Sequence, residues 1–531
     1  MPLLAATNIE LSYGERRVLD RVSLSVEDGE RVGVVGRNGG GKSSLMRILA
    51  GELKPDSGTV SLAQGRRLGY LTQDPRLPAR ETLRGATETA FAELHRLHER
   101  LDEVFQNMAG AEGEALEKLM RDQDRIEKQI EAAGGYAIDH KIDQVLHGLG
   151  FTDAQFSIPV EGLSGGQKAR VALAKLLLEE PQILLMDEPT NHLDIQGRIW
   201  LETFLKDQFK GAVILISHDR YLLDNVVHRI IEVEPVPGQG GRLIDYPGNY
   251  RAFREQRADR ILTQQRAWEK QQTAFKREEA FIRKYKAGQR AKQAKGRESR
   301  LDRAKEATTI EKPLELDVMK LSLPKAERTG ELVAVGRGLS KRYTNDEGER
   351  VLFDELDVTI ERGQRWGVIG PNGAGKTTLV RCLLGEIPLD AGAITLGTKL
   401  AIGYFRQTHE GLNPEMTIVR YLQDAVAKQC EGVRLSEQQA RDLAGAFLFS
   451  GQTQEKELGL LSGGERSRAV LAALFATAKN VLVLDEPTNH LDIPSAERLE
   501  EALRRAPTPA ELALDENAGR DQGMFDGTLI L

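Results

Sequence analysis

The sequence predicts an α/β protein that carries two copies of one domain in tandem, joined by a long helical linker. Three repeated motifs predict it. GRNGGGKS begins at Gly36 and GPNGAGKT at Gly370, an offset of 334. LSGGQ begins at Leu163 and LSGGE at Leu461, an offset of 298. MDEPTNHLD begins at Met186 and LDEPTNHLD at Leu484, again 298 apart. Several motifs that share fixed offsets mark an internal repeat. Residues 1–246 form the expected first domain, 247–323 the linker and 324–531 the second domain.

The two offsets differ by 36 residues, so the first copy holds an insertion between Gln73 and LSGGQ. It falls near residues 82–135. Leu94, Leu97, Leu101 and Val104 recur at helical steps, as do Leu116, Leu119 and Ile126. This periodicity predicts an antiparallel helical pair joined near Gly110 and Gly113. It is either a decoration packed on its own domain or an arm that meets a partner. The linker opens at Pro247 and Gly248, and its middle is rich in Arg, Lys, Gln, Glu and Ala, which favour helix. It reads as two long helices with a turn near Gly288 or Gly296. Trp268, Phe275, Phe281 and Tyr285 are spaced so that several share one face.

Of 531 residues, 40% are hydrophobic and 29% charged, a globular profile, and no apolar run approaches the ~20 residues of a membrane helix. The N-terminus MPLLAATNIELSY has no basic and apolar leader pattern and reads as mature sequence. The two cysteines, Cys382 and Cys430, show no pairing pattern, which fits a reducing cytosol. Net charge is −7, but Arg283–Lys305 holds ten basic residues and two acidic ones. This basic island in an acidic chain is a candidate contact for phosphate backbones. The bland reading is a helical spacer with a solvated charged face.

Each phosphate-loop motif follows an apolar run, RVGVVG or RWGVIG. Glycines let successive N–H groups turn inward around phosphates, and the next helix adds its N-terminal dipole. The first loop supplies Gly36, Arg37, Asn38, Gly39, Gly40, Gly41, Lys42, Ser43 and Ser44. The second supplies Gly370, Pro371, Asn372, Gly373, Ala374, Gly375, Lys376, Thr377 and Thr378. Lys42 and Lys376 are expected on the β- and γ-phosphates, and Ser43 and Thr377 on Mg²⁺. ILLMDEP and VLVLDEP read as buried parallel strands ending in two carboxylates. Asp187 and Asp485 fall where Mg²⁺ would lie. Glu188 and Glu486 follow, placed to orient or deprotonate water.

With LSGGQ beside these elements, both halves resemble the ATP-binding cassette superfamily, over roughly residues 3–246 and 332–531. The fold implied is two P-loop NTPase domains. The resemblance further implies ATP sites shared head to tail. Ser164, Gly165, Gly166 and Gln167 would cap the ATP on Lys376. Ser462, Gly463, Gly464 and Glu465 would cap the ATP on Lys42. It assigns adenine stacking to Tyr13 and Tyr343, Mg²⁺ and water sensing to Gln73 and Gln407, and cross-interface reporting to Asp194 and Asp492. His218 in ILISHDR matches the family's switch histidine.

The second copy departs from that pattern. The first reads GAVILISHDR from Gly211; the second reads GTLIL from Gly527 and stops at Leu531. Aligned on glycine, the switch histidine falls three residues past Leu531. The second cassette is therefore expected to be C-terminally truncated, with an open sheet edge. If Leu531 is instead the true end, the Lys376 site is expected to bind ATP and hydrolyse it poorly.

Two cassettes in one chain, no membrane segment and DEPTNHLD in both copies resemble the ABC-F family. FIRKYKAGQRAKQAKGRESRLDR, from Phe281 to Arg303, is similar to that family's interdomain linker. The resemblance implies a cytoplasmic, monomeric ATPase whose cassettes close over ATP, which binds the ribosomal E site and acts on P-site tRNA through the linker. The residues alone show a basic helical element with aromatics, which suits RNA. A nucleic-acid ATPase that acts away from the ribosome, on DNA for instance, and a transporter's ATPase subunit are the alternatives. Salt-dependent binding to naked DNA favours the first of these, and stable membrane association the second.

Overall fold

The structure is a computed structural model. It describes residues 2–72, 77–78, 80–132, 138–236, 239–285, 290–308, 310, 319, 321, 324, 326–345, 348–406, 412–429, 434–489, 491–504 and 527–531. The first half carries a nine-stranded sheet in the order β4-β1-β2-β9-β8-β3-β7-β6-β5. Its strands are β1 (Leu4–Tyr13), β2 (Arg16–Val26), β3 (Arg31–Gly36), β4 (Ser57–Leu62), β5 (Leu68–Leu71), β6 (Ile183–Asp187), β7 (Ala212–Ile216), β8 (Arg229–Val236) and β9 (Gly240–Pro247). β3, β7, β6 and β5 are parallel neighbours. Every residue of β6 and β7 is buried, as expected of strands covered on both faces. Alternate side chains feed two cores. Leu184, Met186, Val213 and Leu215 face one; Ile183, Leu185, Ile214 and Ile216 face the other.

Helices cover both faces. α1 (Lys42–Leu49) packs Leu45, Met46 and Ile48 into one core. Next come α2 (Ala92–Met108) and α3 (Glu114–Ala132), the helical pair expected in the insertion. Leu94, Leu101 and Val104 meet Ile126 and Ile130 in a small core of their own. α4 (Gly165–Leu178) lies against the second core through Val171, Leu173 and Leu177.

α5 (Tyr250–Tyr285) runs for 36 residues from the first half, and α6 (Ala291–Thr308) packs back along it. Gly288 lies outside the described residues. Gly296 does not form the turn: it sits exposed within α6. A glycine costs a helix about 1 kcal/mol, and the surrounding Lys, Gln, Arg and Ala, all good helix formers, offset that.

The second half repeats the plan with β10 (Leu332–Asn345), β11 (Gly348–Glu361), β12 (Arg365–Trp366), β13 (Ala391–Leu396), β14 (Ile402–Phe405), β15 (Val481–Leu484) and β16 (Thr528–Ile530). Its helices include α7 (Lys376–Leu383), α8 (Gly463–Phe475) and α9 (Ile493–Ala502). Register matches across the repeat: Leu68 pairs with Ile183 as Ile402 pairs with Val481. The parallel sheet reads β12-β16-β15-β14. The first half adds β8 beyond β3. Among the described residues of the second half, β12 has no strand on that side. No helix among the described residues is long and apolar enough to cross a membrane.

One cation closes the foot of each parallel sheet, buried in the first half and half-buried in the second. Arg31 opens β3 and is only 8% exposed. Its guanidinium donates to the carbonyls of Leu205 (3.2 Å), Phe209 and Gly211 and lies over the Phe209 ring. Arg365, 334 residues on, opens β12 and donates to the Leu503 carbonyl. We predict that Arg31→Leu strands buried acceptors and destabilises the first half by about 3 kcal/mol. Guanidinium denaturation followed by Trp200 fluorescence reads this as a lowered midpoint. Arg31→Lys recovers only part, because one ammonium cannot reach all three carbonyls.

Candidate functional site

The phosphate loop of each half links a strand end to a helix start. Gly41 caps α1 in the left-handed region, at φ 99°, and a Cβ there would meet Val18 Cγ1 at 2.7 Å. Only glycine fits both the conformation and the space. Lys42 follows and turns its ammonium back over the loop, donating to the Gly36 (2.8 Å) and Arg37 (3.0 Å) carbonyls. Lys376 repeats the arrangement on Gly370 (2.7 Å) and Pro371 (2.9 Å). Thr377 Oγ1 donates to Asp485 Oδ2 at 2.8 Å, and the Ser43 hydroxyl is hydrogen-bonded to Asp187. A hydroxyl and a carboxylate meeting beside a phosphate loop are hard oxygen donors of the kind that holds Mg²⁺.

Glu188 and Glu486 both adopt left-handed backbone, at φ 53° and 51°. Such strain in a non-glycine residue is sustained where the surroundings fix it. Glu188 Oε2 accepts the backbone N–H of His218 at 3.2 Å, and Oε1 lies 3.4 Å from His218 Nε2. Oε1 is buried and makes no hydrogen bond among the described residues. His218 Nε2 is also 3.2 Å from Asn38 Oδ1. Burial pushes the Glu188 carboxyl up to about 8, against the lowering pull of Lys42 and of the His218 N–H. Burial likewise lowers the Lys42 ammonium and raises Asp187.

The first cavity, of about 410 Å³, draws on both halves. Tyr13, Arg16, Asn38, Gly39, Gly41, Lys42, Ser43, Ser44, Asp187, Glu188 and His218 come from the first, and Ser462, Gly463 and Gly464 from the second. Ser462 caps α8, accepting from Glu465 N, while the Glu465 carboxylate accepts from Ser462 N. This leaves Glu465 out of the lining and aims the positive end of α8 at Lys42. The second cavity, of about 390 Å³, holds Tyr343, Asn372, Gly373, Gly375, Lys376, Thr377, Thr378, Asp485 and Glu486. Ser164, Gly165, Gly166 and Gln167 do not line it; Ser164 and Gln167 form the same cap on α4. Gly36, Arg37, Gly40, Gly370, Pro371 and Ala374 shape the loops outside the two linings. Gln73 and Gln407 lie outside the described residues.

Two aspartates cross between the halves. Asp194 Oδ1 caps a helix through Gly197 N (2.9 Å), and Oδ2 accepts Asn372 N at 3.1 Å. Asp492 Oδ1 caps α9 through Ser495 N (3.1 Å), and Oδ2 faces Asn38 N at 3.5 Å. Burial acts to raise Asp492, but Ser495 and Arg468 outweigh it and hold the carboxyl below its ordinary range. The sequence reading passed over Arg16 and Arg350. Each donates to a loop carbonyl, Gly39 (3.1 Å) or Gly373 (2.8 Å), and each lines its cavity. Their spacing is 334, the offset of the phosphate loops, and that signal could have found them. Tyr13 and Tyr343 are 52% and 45% exposed, so a face of each ring is open to stacking.

A phosphate cradle and a paired Asp-Glu strand end, present as a tandem repeat, with a switch-like histidine in the first copy, define a P-loop nucleotide hydrolase. Two family descriptions, both reading ABC transporter, match the chain. One covers residues 19–191 and 353–489, the other 238–322. The energy-dependent translational throttle protein EttA of Mycobacterium tuberculosis is 37% identical over 500 residues, covering 94% of this chain and 86% of that protein. EttA of Escherichia coli is 37% identical over 493 residues, covering 93% and 85%. The putative ATP-binding protein YdiF of Bacillus subtilis is 35% identical over 504 residues, covering 95% and 76%. An archaeal ribosome recycling factor, crystallised with an archaeal ribosomal stalk protein, superposes with a TM-score of 0.52 at 21% identity, covering 98% and 84%. That last likeness is one of fold. The chain belongs to the ABC-F family of tandem ATP-binding cassette proteins and is an ATPase.

The raised Glu188 carboxyl makes stability depend on pH. Between the ordinary carboxylate range and about 8, folded Glu188 keeps a proton that the unfolded chain has released. Its contribution to stability therefore falls as pH rises through that interval and levels off above it. We predict that Glu188→Gln, measured without nucleotide, gains in melting temperature over the parent as pH rises from about 5 to about 8.5. A gap that stays constant across this range would overturn the assignment.

Proposed function

We propose that this ATPase acts on the ribosome. Its cassettes close over ATP, the closed form occupies the ribosomal E site, and the basic hairpin α5–α6 reaches the P-site tRNA. The observation that carries this reading is an exposed cationic hairpin attached to cassettes that share an ATP cavity. Arg283, Lys284, Arg290, Lys292, Lys295, Arg300 and Arg303 are exposed. Ion pairs hold Arg297 to Glu278 (3.2 Å) and Lys305 to Glu279 (2.7 Å), which braces the hairpin and leaves those seven pointing outward. Arg290 and Lys284 lie over the Tyr285 ring, and Tyr285 packs on Phe281. Cations beside rings meet both the phosphates and the bases of RNA. The relatives named as translational throttle proteins favour the ribosome over naked nucleic acid.

In this mechanism Lys42 and Lys376 hold the β- and γ-phosphates, and Tyr13 and Tyr343 stack on adenine. Ser43 with Asp187, and Thr377 with Asp485, would hold Mg²⁺, and Gln73 and Gln407 are assigned to sensing it. Bound there, the ion would supply positive charge against the transferring phosphate. Glu188 and Glu486 orient and deprotonate the attacking water, and His218 contacts the γ-phosphate. Ser462, Gly463 and Gly464 cap the first ATP with hydroxyl and N–H donors, and Glu465 locks Ser462 in place. Ser164, Gly165, Gly166 and Gln167 cap the second ATP once the halves close further. Asp194 and Asp492 carry the state of one site to the other. Because the first cavity already draws on both halves, Glu188→Gln removes more steady-state turnover than Glu486→Gln; equal losses would count against this.

The test of the ribosomal role is co-sedimentation of the Glu188→Gln/Glu486→Gln chain with ribosomes. ATP should increase the pelleted fraction. Neutralising Arg290, Lys292 and Lys295 to Gln should reduce it about tenfold and flatten its salt dependence. Binding that ignores ATP, or equal binding to naked DNA, refutes the reading.

A further inference from the structure

One carboxylate joins three parts of the chain. Glu497 sits on α9 of the second half, five residues after Asp492. Its Oε1 is shut off from solvent and makes no hydrogen bond among the described residues. It lies 3.5 Å from Arg220 Nη1 and 3.6 Å from Arg254 Nη1. Arg220 belongs to the first half, two residues past His218. Arg254 belongs to the second turn of linker helix α5. Arg220 keeps a further hold on α9, since its Nη2 donates to both oxygens of Glu500 at 2.6 and 2.9 Å. Arg254 is 60% exposed and forms an ion pair with Glu497.

An exposed ion pair alone contributes little, but an oxygen cut off from water and shared by two cations is a different case. Arg220 and Arg254 repel each other, and Glu497 is what lets them sit together. α9 is tied at its start to the phosphate loop of the first half through Asp492 and Asn38. Its Ile493 enters the first half's core beside Tyr250 and Phe253, at the root of α5. Beside the junction lies a groove of about 790 Å³, lined in part by Val233, Phe253, Ile261 and Pro494.

We infer that Glu497 is a positioning residue that couples closure over the first ATP cavity to the direction of the linker. Closure seats α9 against Arg220, and the carboxylate brought there captures Arg254 and fixes α5. With the halves apart Arg254 loses that partner. The two states therefore differ by a specific contact, as coupling requires.

The test uses the full chain with the Glu188→Gln/Glu486→Gln changes, Cys382 and Cys430 replaced by Ala, and paired spin labels read by electron double resonance. Labels at Ala274→Cys and Ala393→Cys report the linker against the second half. Labels at Lys54→Cys and Ala393→Cys report the two halves. ATP with Mg²⁺ should narrow both distance distributions in the parent. In Arg254→Gln and in Glu497→Gln the halves should still close, because the Arg220–Glu500 fork persists. The linker distribution should stay as broad as without ATP, and Arg254→Lys should restore its narrowing. Narrowing in Arg254→Gln and Glu497→Gln equal to the parent overturns the inference. So does failure of Arg254→Lys to restore it.

Discussion

Asp194 and Asp492 each use one oxygen to cap a helix in their own half and turn the other toward a backbone N–H in the opposite phosphate loop. The geometry leaves little slack. A cap fixes the carboxylate to within the reach of one hydrogen bond, so the second oxygen can meet its partner only if the halves stand head to tail. Much of the site rests on that placement. It brings Ser462 and the start of α8 over Lys42, and it sets α9 beside Arg220. Polar contacts, with Ile493 as an apolar anchor in the first half's core, hold this part of the interface.

The two cavities are built from the same parts and are not equally assembled. Around Lys42 the opposite half supplies a capped helix start; around Lys376 it supplies the His192 carbonyl and Asp194, both to Asn372. Around Lys42 the charged side chains are themselves buried, and loss of water perturbs Glu188, Asp187 and Lys42 together. In the proposed mechanism this asymmetry makes the first site the more complete one and leaves the second to be completed by a further movement.

The phosphate loops and the Asp-Glu strand ends were legible in the sequence because each works through neighbours a few residues away. The strands were legible too: an apolar run such as ILLMD has only one environment that suits it. Arg16 and Arg350 escaped because an arginine after a turn looks like any solvated cation, and only the fold brings it to a glycine carbonyl 23 residues on. Gly296 misled because glycine punctuates most chains, whereas here good helix formers on both sides carry the helix through it. The Glu497 junction was beyond reach, since its three members lie 34 and 243 residues apart along the chain and meet only when both halves and the linker are in place.

The length of α5 has a mechanical meaning. Thirty-six residues of continuous helix make a rod about 54 Å long, stiffened at its far end by the hairpin partner α6. A rod pivoting at its root multiplies displacement. A tilt of about 5° at Tyr250 carries the tip by about 5 Å, close to the pitch of an α-helix and far more than any one side chain shifts when a salt bridge forms. Such leverage turns a sub-ångström event beside a nucleotide into a stroke large enough to matter to whatever the tip touches. It also sets a tolerance: the root must be held to within a few degrees, or the tip has no fixed address.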